Sequence, residues 1–274
     1  MTTLVTAATG KVGRQVTAQL RACGVELRAG SRRGSPPLDW TAPATWPAVL
    51  DGVDRIFLLV PGGDDGQRSV AGLGEAVVEF LDLAEHRGVR RVVLMTALGM
   101  DAAPAEVEQR AVELHLQRSA LDWTILRPNW FFQNLTHGPL CALAEANHTV
   151  LALPAGDAAV SFIDTQDIAA VAVEALVGEH HGREYALTGS RSLTFADVAT
   201  ACRDSAVPVS AYRAVSDHEF RRAALGLGWH RDYVDTLSGL FAAIAAGYAA
   251  PVLRDTAEIL GRAPRSLTAF LAQV

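Results

Sequence analysis

The stretch Val5-Thr6-Ala7-Ala8-Thr9-Gly10-Lys11-Val12-Gly13, VTAATGKVG, decides the fold. It joins a short apolar run at residues 3–7, which predicts a strand, to residues 11–22, whose apolar positions recur every four residues and predict a helix. Backbone amides at a helix N-terminus bind phosphate, so a glycine loop in this context predicts a dinucleotide site. Gly10 would let the backbone approach the anion, and Gly13 would let the helix lie against the sheet. The alternative is a turn whose glycines serve packing alone.

The second strand, predicted at residues 25–29, indicates which dinucleotide binds. Strands in this position end on an acidic residue when the ligand is NAD, because the acid binds the ribose hydroxyls. This chain instead places Ser31-Arg32-Arg33 there. Since the planar guanidinium suits a phosphate, the pattern favours NADPH over NADH. The alternative is a solvated basic turn.

Strand and helix patterns then alternate along the chain. Continuous or near-continuous apolar runs predict strands at residues 55–60, 90–96 and 121–126, and helical spacing predicts helices at residues 67–87 and 104–120. A repeated strand-then-helix order predicts an α/β fold with a doubly wound parallel sheet.

The regular alternation of strand and helix patterns ends after residue 128. Short strands are predicted at residues 150–153, 161–163 and 185–187, with a helix at 165–177, and most of 194–274 reads as helical. We expect residues 1–150 to form the NAD(P)-binding domain, with residues 161–190 returning to it. Residues 191–274 are expected to form a small, mostly helical substrate cap.

In open α/β sheets, ligands bind beyond the carboxyl ends of the strands. Asn129 and Thr96 are the polar candidates there for orienting a carbonyl or the nicotinamide amide, and thus the catalytic candidates. Trp130 and Phe132 could stack on a flat ligand, so the predicted substrate residues are Asn129, Trp130 and Phe132. The alternatives are core packing for the rings and a backbone hydrogen bond for the threonine. The predicted cofactor-binding residues are Thr9, Gly10, Lys11, Val12, Ser31, Arg32, Arg33, Leu59, Pro61, Thr96 and Ala97.

Composition excludes several other classes of function. The 274 residues carry a formal net charge of −6 and no basic tract, which disfavours a nucleic-acid or anionic-membrane partner. The three cysteines are far apart and no His, Asp or Glu set has metal-ligand spacing, so we expect no disulfide framework, no metal and a cytoplasmic location. No leader is expected, and the apolar stretch at 241–253 is shorter than the roughly 20 residues of a membrane span.

Longer motifs carry a resemblance to a known family. They are TAATGKVG at 6–13, LDGVDRIFLLVP at 50–61, GVRRVVLMTALGMD at 88–101, LDWTILRPNWFFQNL at 121–135, SFIDTQDIAAVAVEAL at 161–176 and GREYALTGSRSLTFADVA at 182–199. With these, nearly the whole chain resembles the NmrA-like branch of atypical short-chain dehydrogenases, including its NAD(P)H:quinone-reductase-like members. The resemblance implies a Rossmann domain, NADP(H) preference, and quinones or other aromatic compounds as substrates. The family also contains nucleotide-sensing regulators that catalyse nothing.

The chain departs from the family pattern in two places. The family loop usually reads T-G-A-T-G-x-x-G, and Ala7 replaces its first glycine, which is costly only if φ is positive there. Residues 104–113 contain no Tyr-x-x-x-Lys pair, and Gln109 stands where quinone-reductase-like relatives often carry His or Lys. Glutamine cannot act as a general acid near neutral pH, so tyrosine-assisted ketone reduction is disfavoured.

These observations predict an NADPH-dependent oxidoreductase that transfers a hydride to a quinone or a polycyclic aromatic, polyketide-like compound. The reduced hydroquinone could also react with oxygen, and the net outcome could then be hydroxylation instead of reduction. The alternative function is a non-catalytic NADP(H)-binding redox sensor. An epimerase or dehydratase is disfavoured because such enzymes usually keep the tyrosine. The oligomeric state stays open.

Overall fold

Residues 1–59 and 72–274 are described by a computed structural model of the chain. The strands within them are β1 Thr2–Val5, β2 Leu27–Ala29, β3 Val53–Leu59, β4 Arg91–Met95, β5 Asp122–Pro128, β6 Val150–Leu153, β7 Ala159–Val160, β8 Arg183–Leu187, β9 Leu193–Thr194 and β10 Ala211–Ala214. The helices are α1 Gly13–Ala22, α2 Trp46–Leu50, α3 Leu73–His86, α4 Glu108–Arg118, α5 Pro139–Glu145, α6 Thr165–Val177, α7 Phe195–Cys202, α8 Asp217–Gly226, α9 Arg231–Ala245, α10 Asp255–Leu260 and α11 Leu267–Leu271.

A parallel sheet organises the first part of the chain. Its six described strands run in the order β2-β1-β3-β4-β5-β8, and every neighbouring pair is parallel. The order reverses at β1, because β2 lies on one side of it and β3 on the other. This topology confirms the predicted doubly wound, Rossmann-like sheet, whose ligands bind where the order reverses.

Helices cover both faces of that sheet. Helix α1 packs beside α6, and α3 packs beside α4. Between these layers, the side chains of Ile56, Phe57 and Leu58 in β3 are fully buried. Consecutive residues of a strand point to opposite faces, so a strand buried on both faces must be apolar throughout. The run IFLL at residues 56–59 of β3 is apolar throughout and satisfies that requirement.

The described residues divide into two compact units. The first comprises residues 1–59, 72–128 and 165–187 and contains the sheet. One hydrophobic cluster of this unit joins strand residues to α2, α3 and α4, with Ile56, Val92, Phe80 and Leu116 among its fully buried members.

The second unit comprises residues 129–164 and 188–274 and has its own hydrophobic cluster. Two small described sheets lie in it: β6 pairs with β10 in parallel, and β7 pairs with β9 antiparallel. Its helices are α5 and α7–α11. The domains predicted at 1–150 and 191–274 stay predictions, since compact units do not show which ligand each part binds.

Several predicted elements differ from the structure. Helix α1 begins at Gly13 instead of residue 11, because residues 9–12 form the turn that leads into it. The strand predicted at 161–163 is reduced to a single bridge between Phe131 and Ile163, preceded by β7. Strand β10 lies in the region predicted as mostly helical. Local patterns did not indicate it, because its partner β6 is distant in the sequence. The short helix α2 was not predicted, and residues 67–71 of the helix predicted at 67–87 lie outside the described residues.

Candidate cofactor loop and active site

The loop between β1 and α1 turns tightly at Gly10. The Gly10 amide donates to the Ala7 carbonyl at 2.9 Å, and the Arg14 amide donates to the Gly10 carbonyl at 3.1 Å. Within the described residues no side chain caps the N-terminus of α1, and its first turn contains no acidic residue. The positive end of the helix dipole therefore has no internal counter-charge at its cap, an arrangement that suits an anion.

Gly13 is required for backbone packing, and Gly10 lies in a tight turn. An ideal Cβ on Gly13 would lie 2.2 Å from the Ala7 carbonyl oxygen, and one on Gly10 would lie 3.2 Å from the same atom. Real Cβ atoms essentially never approach within 3.0 Å of such an atom. Gly13 therefore lets the start of α1 lie against the Ala7 backbone, which is the close packing expected of the glycine loop of a dinucleotide site.

The other predicted residues of the loop differ in their exposure. Thr9 is exposed, Lys11 is half-buried, and Val12 is buried in the core. A contact between Val12 and a cofactor would therefore come from its backbone. Their roles in binding stay predictions.

Ala7 has the backbone conformation in which its methyl group is costly. Its φ is +48°, in the left-handed region. A Cβ in this region clashes with the following carbonyl oxygen, at about 1–2 kcal/mol for an L-residue. The first position of the loop is therefore one at which glycine would be less strained.

We expect Ala7→Gly to raise the free energy of unfolding by about 1 kcal/mol and to leave NADPH binding equal or tighter. Urea unfolding and calorimetric titration with NADPH measure the two effects. A matched control is Ala18→Gly, at an exposed position within α1, which should lower stability by about 1 kcal/mol. Equal losses at the two positions would show that the left-handed conformation at Ala7 stores no strain.

The basic turn after β2 is joined directly to the glycine loop. The Ala8 amide donates to the Gly30 carbonyl at 3.2 Å, and the Gly30 amide donates to the Val5 carbonyl at 2.8 Å. The Ser31 carbonyl accepts from the amides of Gly34 and Leu38, both at 2.9 Å, and closes the turn. The structure thus brings the residues predicted to bind the 2′-phosphate beside the predicted pyrophosphate loop.

Arg32 and Arg33 project from this turn. Both are exposed, and neither forms a salt bridge with another described residue. Their guanidinium groups are therefore available to an external anion within the described structure. A bidentate contact with a phosphate is the interaction that suits them.

Leu59 ends β3 beside the same loop. Its amide donates to the Thr6 hydroxyl at 2.9 Å, which connects the end of β3 to the residue before Ala7. The other residue predicted there, Pro61, lies outside the described residues.

Thr96 and Ala97 follow β4 at the carboxyl edge of the sheet. The Thr96 amide donates to the Leu126 carbonyl at 3.0 Å, and the Ala97 carbonyl accepts from the Met100 amide at 3.1 Å. The Thr96 hydroxyl donates to Oε1 of Glu113 at 2.6 Å. Only 7% of Thr96 is exposed. The alternative prediction for this hydroxyl was a hydrogen bond to backbone. In the structure the hydroxyl donates to a carboxylate instead.

Glu113 is a fully buried carboxylate on α4. Nε of Arg127 donates to its Oε1 at 2.9 Å, and Nη2 of Arg127 donates to its Oε2 at 2.8 Å. Nη1 of Arg110 also donates to Oε2, at 2.7 Å. Arg127 in turn donates to Glu184 at 2.6 Å. The buried charge of Glu113 is therefore paired and hydrogen-bonded on both oxygens, as a buried charge must be.

These partners keep Glu113 ionised. Burial by itself would raise the pKa of the carboxyl group, but hydrogen bonds from Arg127, Thr96 and Arg110 outweigh it, and the pKa is lowered. For Arg127, burial opposes the charged form, and the bonds to Glu113 and Glu184 raise the pKa of the guanidinium. Both groups are charged at neutral pH.

The sequence interpretation missed Glu113, although two signals were available. Glu113 lies beside Val112 and three residues before Leu116, on the apolar face of α4. Arg127 lies in an otherwise apolar stretch of β5. Opposite charges on two apolar elements indicate a buried pair, because a buried charge is costly without a partner.

Gln109 lies on the first turn of α4, one turn before Glu113. It is half-buried, and its Oε1 has no hydrogen-bond partner among the described residues. Its amide can donate or accept a hydrogen bond but releases no proton near neutral pH.

Asn129 is held entirely within the second unit. Its Nδ2 donates to the Ser161 hydroxyl and to the Ala249 carbonyl, both at 2.8 Å, and its Oδ1 accepts from the Trp130 amide at 2.9 Å. Because both amide protons are used, Asn129 has none left for a substrate carbonyl in this arrangement. These bonds favour a structural role, and its catalytic role stays a prediction.

The two predicted substrate aromatics occupy different environments. Phe132 is 2% exposed and stacks on Phe162 and Phe270, with ring centroids 6.0 and 5.6 Å apart. It is a core residue and offers no open face. Trp130 is half-buried and stacks on Phe241 with centroids 5.3 Å apart. Of the two rings, Trp130 is the one that retains accessible surface.

A family model described as NAD(P)H-binding matches residues 7–179 of this chain. The matched region includes residues 7–13 of the glycine loop, the basic turn and the Thr96–Glu113–Arg127 cluster. The chain belongs to the NAD(P)H-binding family.

A relative in this family supports the same conclusion along most of the chain. NAD(P)H azoreductase of Xenophilus azovorans is 32% identical over 258 residues, which cover 92% of this chain and 83% of that protein. With the family match, this relative confirms the predicted family and identifies the chain as an NAD(P)H-dependent oxidoreductase.

Two solved structures share the fold of this NAD(P)H-binding protein. The NADPH-dependent quinone oxidoreductase QOR2 of Escherichia coli, in complex with NADPH, aligns with a TM-score of 0.80 and 22% identity, covering 100% of this chain and 99% of that chain. The triphenylmethane reductase of Citrobacter sp., in complex with NADP(H), aligns with a TM-score of 0.77 and 19% identity over the same shares. At these identities the likeness shows the fold.

Two further observations concern the described part of this family member. None of its described helices is both long enough and apolar enough to cross a membrane. No described group of three or more His, Cys, Asp or Glu side chains could hold a metal ion. The predictions of a cytoplasmic location and of a metal-free site stay predictions.

Proposed function

We propose that the chain is an NADPH-dependent reductase that transfers a hydride to a quinone or a polycyclic aromatic compound. One observation carries the proposal: the glycine loop with an uncapped α1 is hydrogen-bonded to a turn bearing two exposed arginines. The first feature suits a pyrophosphate and the second a 2′-phosphate. Gly10, Gly13, Arg32 and Arg33 would therefore hold the cofactor, which supplies a hydride when it is bound.

The relatives support a conjugated acceptor as the substrate. Their names refer to azo compounds, to quinones and to triphenylmethanes. Such acceptors delocalise the electron pair of an incoming hydride, so their reduction depends mainly on positioning. A quinone that takes up a hydride and one proton from solvent becomes a hydroquinone, and no side-chain acid is needed.

The polar residues at the carboxyl edge fit a reaction of this kind. The proton of Thr96 is donated to a carboxylate, and Gln109 is not an acid. Neither group resembles the tyrosine that protonates a simple ketone in related enzymes. Trp130, with its partly open ring, is the aromatic residue best suited to contact a flat substrate.

A test of turnover separates the reductase from the alternative, a non-catalytic NADP(H) sensor. We expect the purified protein to oxidise NADPH in the presence of members of a panel of benzo-, naphtho- and anthraquinones, followed by absorbance at 340 nm. Tight NADPH binding without turnover of any acceptor would contradict the reductase and favour the sensor. The absence of an acid among Thr96 and Gln109 is the observation that keeps the sensor as the second candidate.

An oxygen electrode in the same assay tests the proposed hydroxylation. If oxygen hydroxylates the reduced compound, oxygen uptake should follow NADPH oxidation and a product with one added oxygen atom should appear by mass spectrometry. Oxygen uptake that yields only the quinone and hydrogen peroxide would contradict hydroxylation. Reduction without oxygen uptake would limit the reaction to the hydroquinone.

The double variant Arg32→Ala/Arg33→Ala should lose its preference for NADPH. We expect its Kd for NADPH to rise by about 10- to 100-fold, as for the loss of one or two charge-assisted hydrogen bonds, with the Kd for NADH nearly unchanged. Fluorescence titration with both dinucleotides measures this. Arg21→Ala, an exposed arginine at the end of α1, is the matched control. Equal losses for NADPH and NADH would contradict a 2′-phosphate contact.

A further inference from the structure

The hydroxyl of Thr96 has only one direction in which it can donate. Its proton points to Oε1 of Glu113, at 2.6 Å. An ionised carboxylate accepts hydrogen bonds and has no proton to donate, and a hydroxyl group has a single proton. Thr96 therefore keeps only lone pairs for any other partner.

The partners of Glu113 keep Thr96 as the donor in the hydrogen bond between these two residues. Arg127 donates to both carboxylate oxygens, and Arg110 donates to Oε2. Arginine only donates and stays charged, so these three donated bonds stabilise the ionised carboxylate, which has no proton to donate to Thr96. Because Glu113 has no exposed surface, no solvent replaces these bonds.

Thr96 is also placed where a ligand of the sheet binds. Strands β1, β3 and β4 are adjacent and parallel, so the residues after β4 leave the sheet at the same edge as the glycine loop after β1. Ligands of open α/β sheets bind beyond that edge.

We propose that Glu113 is a positioning residue that fixes Thr96 as a hydrogen-bond acceptor toward the bound ligand. The group that Thr96 recognises is therefore an N–H or O–H donor, and Thr96 is not the acid of the reaction. This inference rests on the proposed function. Two sources supply such a donor: the carboxamide N–H of the nicotinamide cofactor, and a phenolic O–H of a reduced aromatic product.

Binding measurements with matched dinucleotides test the first source. The probes are NADP⁺ and its 3-acetylpyridine analogue, in which a methyl ketone replaces the carboxamide and removes its N–H donors. If Thr96 accepts from the carboxamide, the Thr96→Val variant should bind NADP⁺ about 3- to 10-fold more weakly than the wild type does. Its affinity for the analogue should equal that of the wild type. Thr96→Ser, which keeps the hydroxyl, should restore the wild-type preference for NADP⁺.

Product inhibition tests the second source. A naphthohydroquinone and its dimethyl ether share the same ring system, only the hydroquinone has O–H donors, and both can compete with the quinone. If Thr96 accepts from the product, Thr96→Val should weaken inhibition by the hydroquinone and leave inhibition by the ether and both dinucleotide affinities unchanged.

Glu113→Gln tests the positioning role itself. Each orientation of the new amide places an NH₂ group against a donor of Arg127 or Arg110, so the cluster cannot be satisfied as before. We expect a folded Glu113→Gln protein to lose the same ligand preference as Thr96→Val, although Thr96 is still present. If this variant does not fold, the Thr96→Val and Thr96→Ser arms still decide the polarity of Thr96.

The outcomes separate this inference from the proposed function. The assignment would be overturned if Thr96→Val kept the wild-type preference within both ligand pairs. It would also be overturned if the variant lost affinity equally for both members of each pair and Thr96→Ser did not restore that affinity. If the wild-type protein bound neither dinucleotide, the proposed function would fall, and the assignment with it. Turnover by the wild type, with preferences that do not depend on Thr96, would overturn the assignment alone.

Discussion

Gly13→Ala should lose both stability and cofactor binding, the largest effect that we expect from a single methyl group in this chain. The added Cβ would lie 2.2 Å from the Ala7 carbonyl oxygen and 2.8 Å from the Ala7 carbonyl carbon. Both are backbone atoms, so no side chain can rotate away, and α1 or the loop must move. We expect a loss of about 3 kcal/mol in the free energy of unfolding, at the upper end of overpacking, and a rise of about 100-fold in the Kd for NADPH.

Urea unfolding and calorimetric titration with NADPH provide the measurements. Gly239→Ala is a matched control, because Gly239 is an exposed residue within α9 and nothing lies within 4 Å of its added Cβ. The control should be neutral or stabilising by up to about 1 kcal/mol, since alanine favours a helix. Wild-type affinity for NADPH in a folded Gly13→Ala protein would show that the loop does not bind the cofactor.

Glu113→Ala should destabilise the first unit by about 3–5 kcal/mol, the usual result of removing one partner from a buried ion pair. Arg127, which is 5% exposed, would lose two hydrogen bonds and most of its counter-charge. Glu79→Ala, at an exposed position of α3, is the control and should change stability by less than about 0.5 kcal/mol. Urea unfolding followed by circular dichroism measures both, and a loss no larger than that of the control would contradict the buried pair.

The effect of Glu113 should also depend on pH in one direction. Its pKa is lower in the folded protein than the ordinary value of 4.5. The unfolded chain therefore takes up a proton more readily, and the stability contributed by Glu113 is complete above pH 4.5 and lost as the pH falls through the folded pKa. The difference in unfolding free energy between wild type and Glu113→Ala should be constant from pH 8 to 5 and narrow at lower pH. A difference that widens in acid would contradict this assignment.

The fold could be predicted from local patterns because a parallel sheet with helices on both faces requires them. Residues 56–59 had to be apolar without interruption, and the VTAATGKVG loop had to change from strand to helix through glycine. The cost of Ala7 could not be predicted, because a sequence does not give the sign of φ. In the structure φ of Ala7 is positive, which is the conformation in which the methyl group is costly.

The candidate site was harder to predict because its polar groups meet across long separations. Asn129 follows the carboxyl end of β5 as expected, yet its amide donates to Ala249, 120 residues further along the chain. Thr96 was predicted to orient a ligand or to bond to backbone, while its hydroxyl donates to Glu113 on another element. Trp130 and Phe132 are two residues apart, and their spacing alone does not show which ring is buried.

Strand β8 has a consequence for how the chain folds as it is synthesised. It completes the sheet by pairing with β5, although residues 129–182 lie between the two strands. On the ribosome, the edge of β5 stays unpaired for several seconds at about 5–20 residues per second, and an unpaired edge invites association with other chains. Once β8 is in place, the exposed charges of Arg183 and Glu184 lie on the finished edge. A nascent chain whose β8 has not yet left the ribosome should therefore depend on chaperones more strongly than one in which β8 can pair with β5.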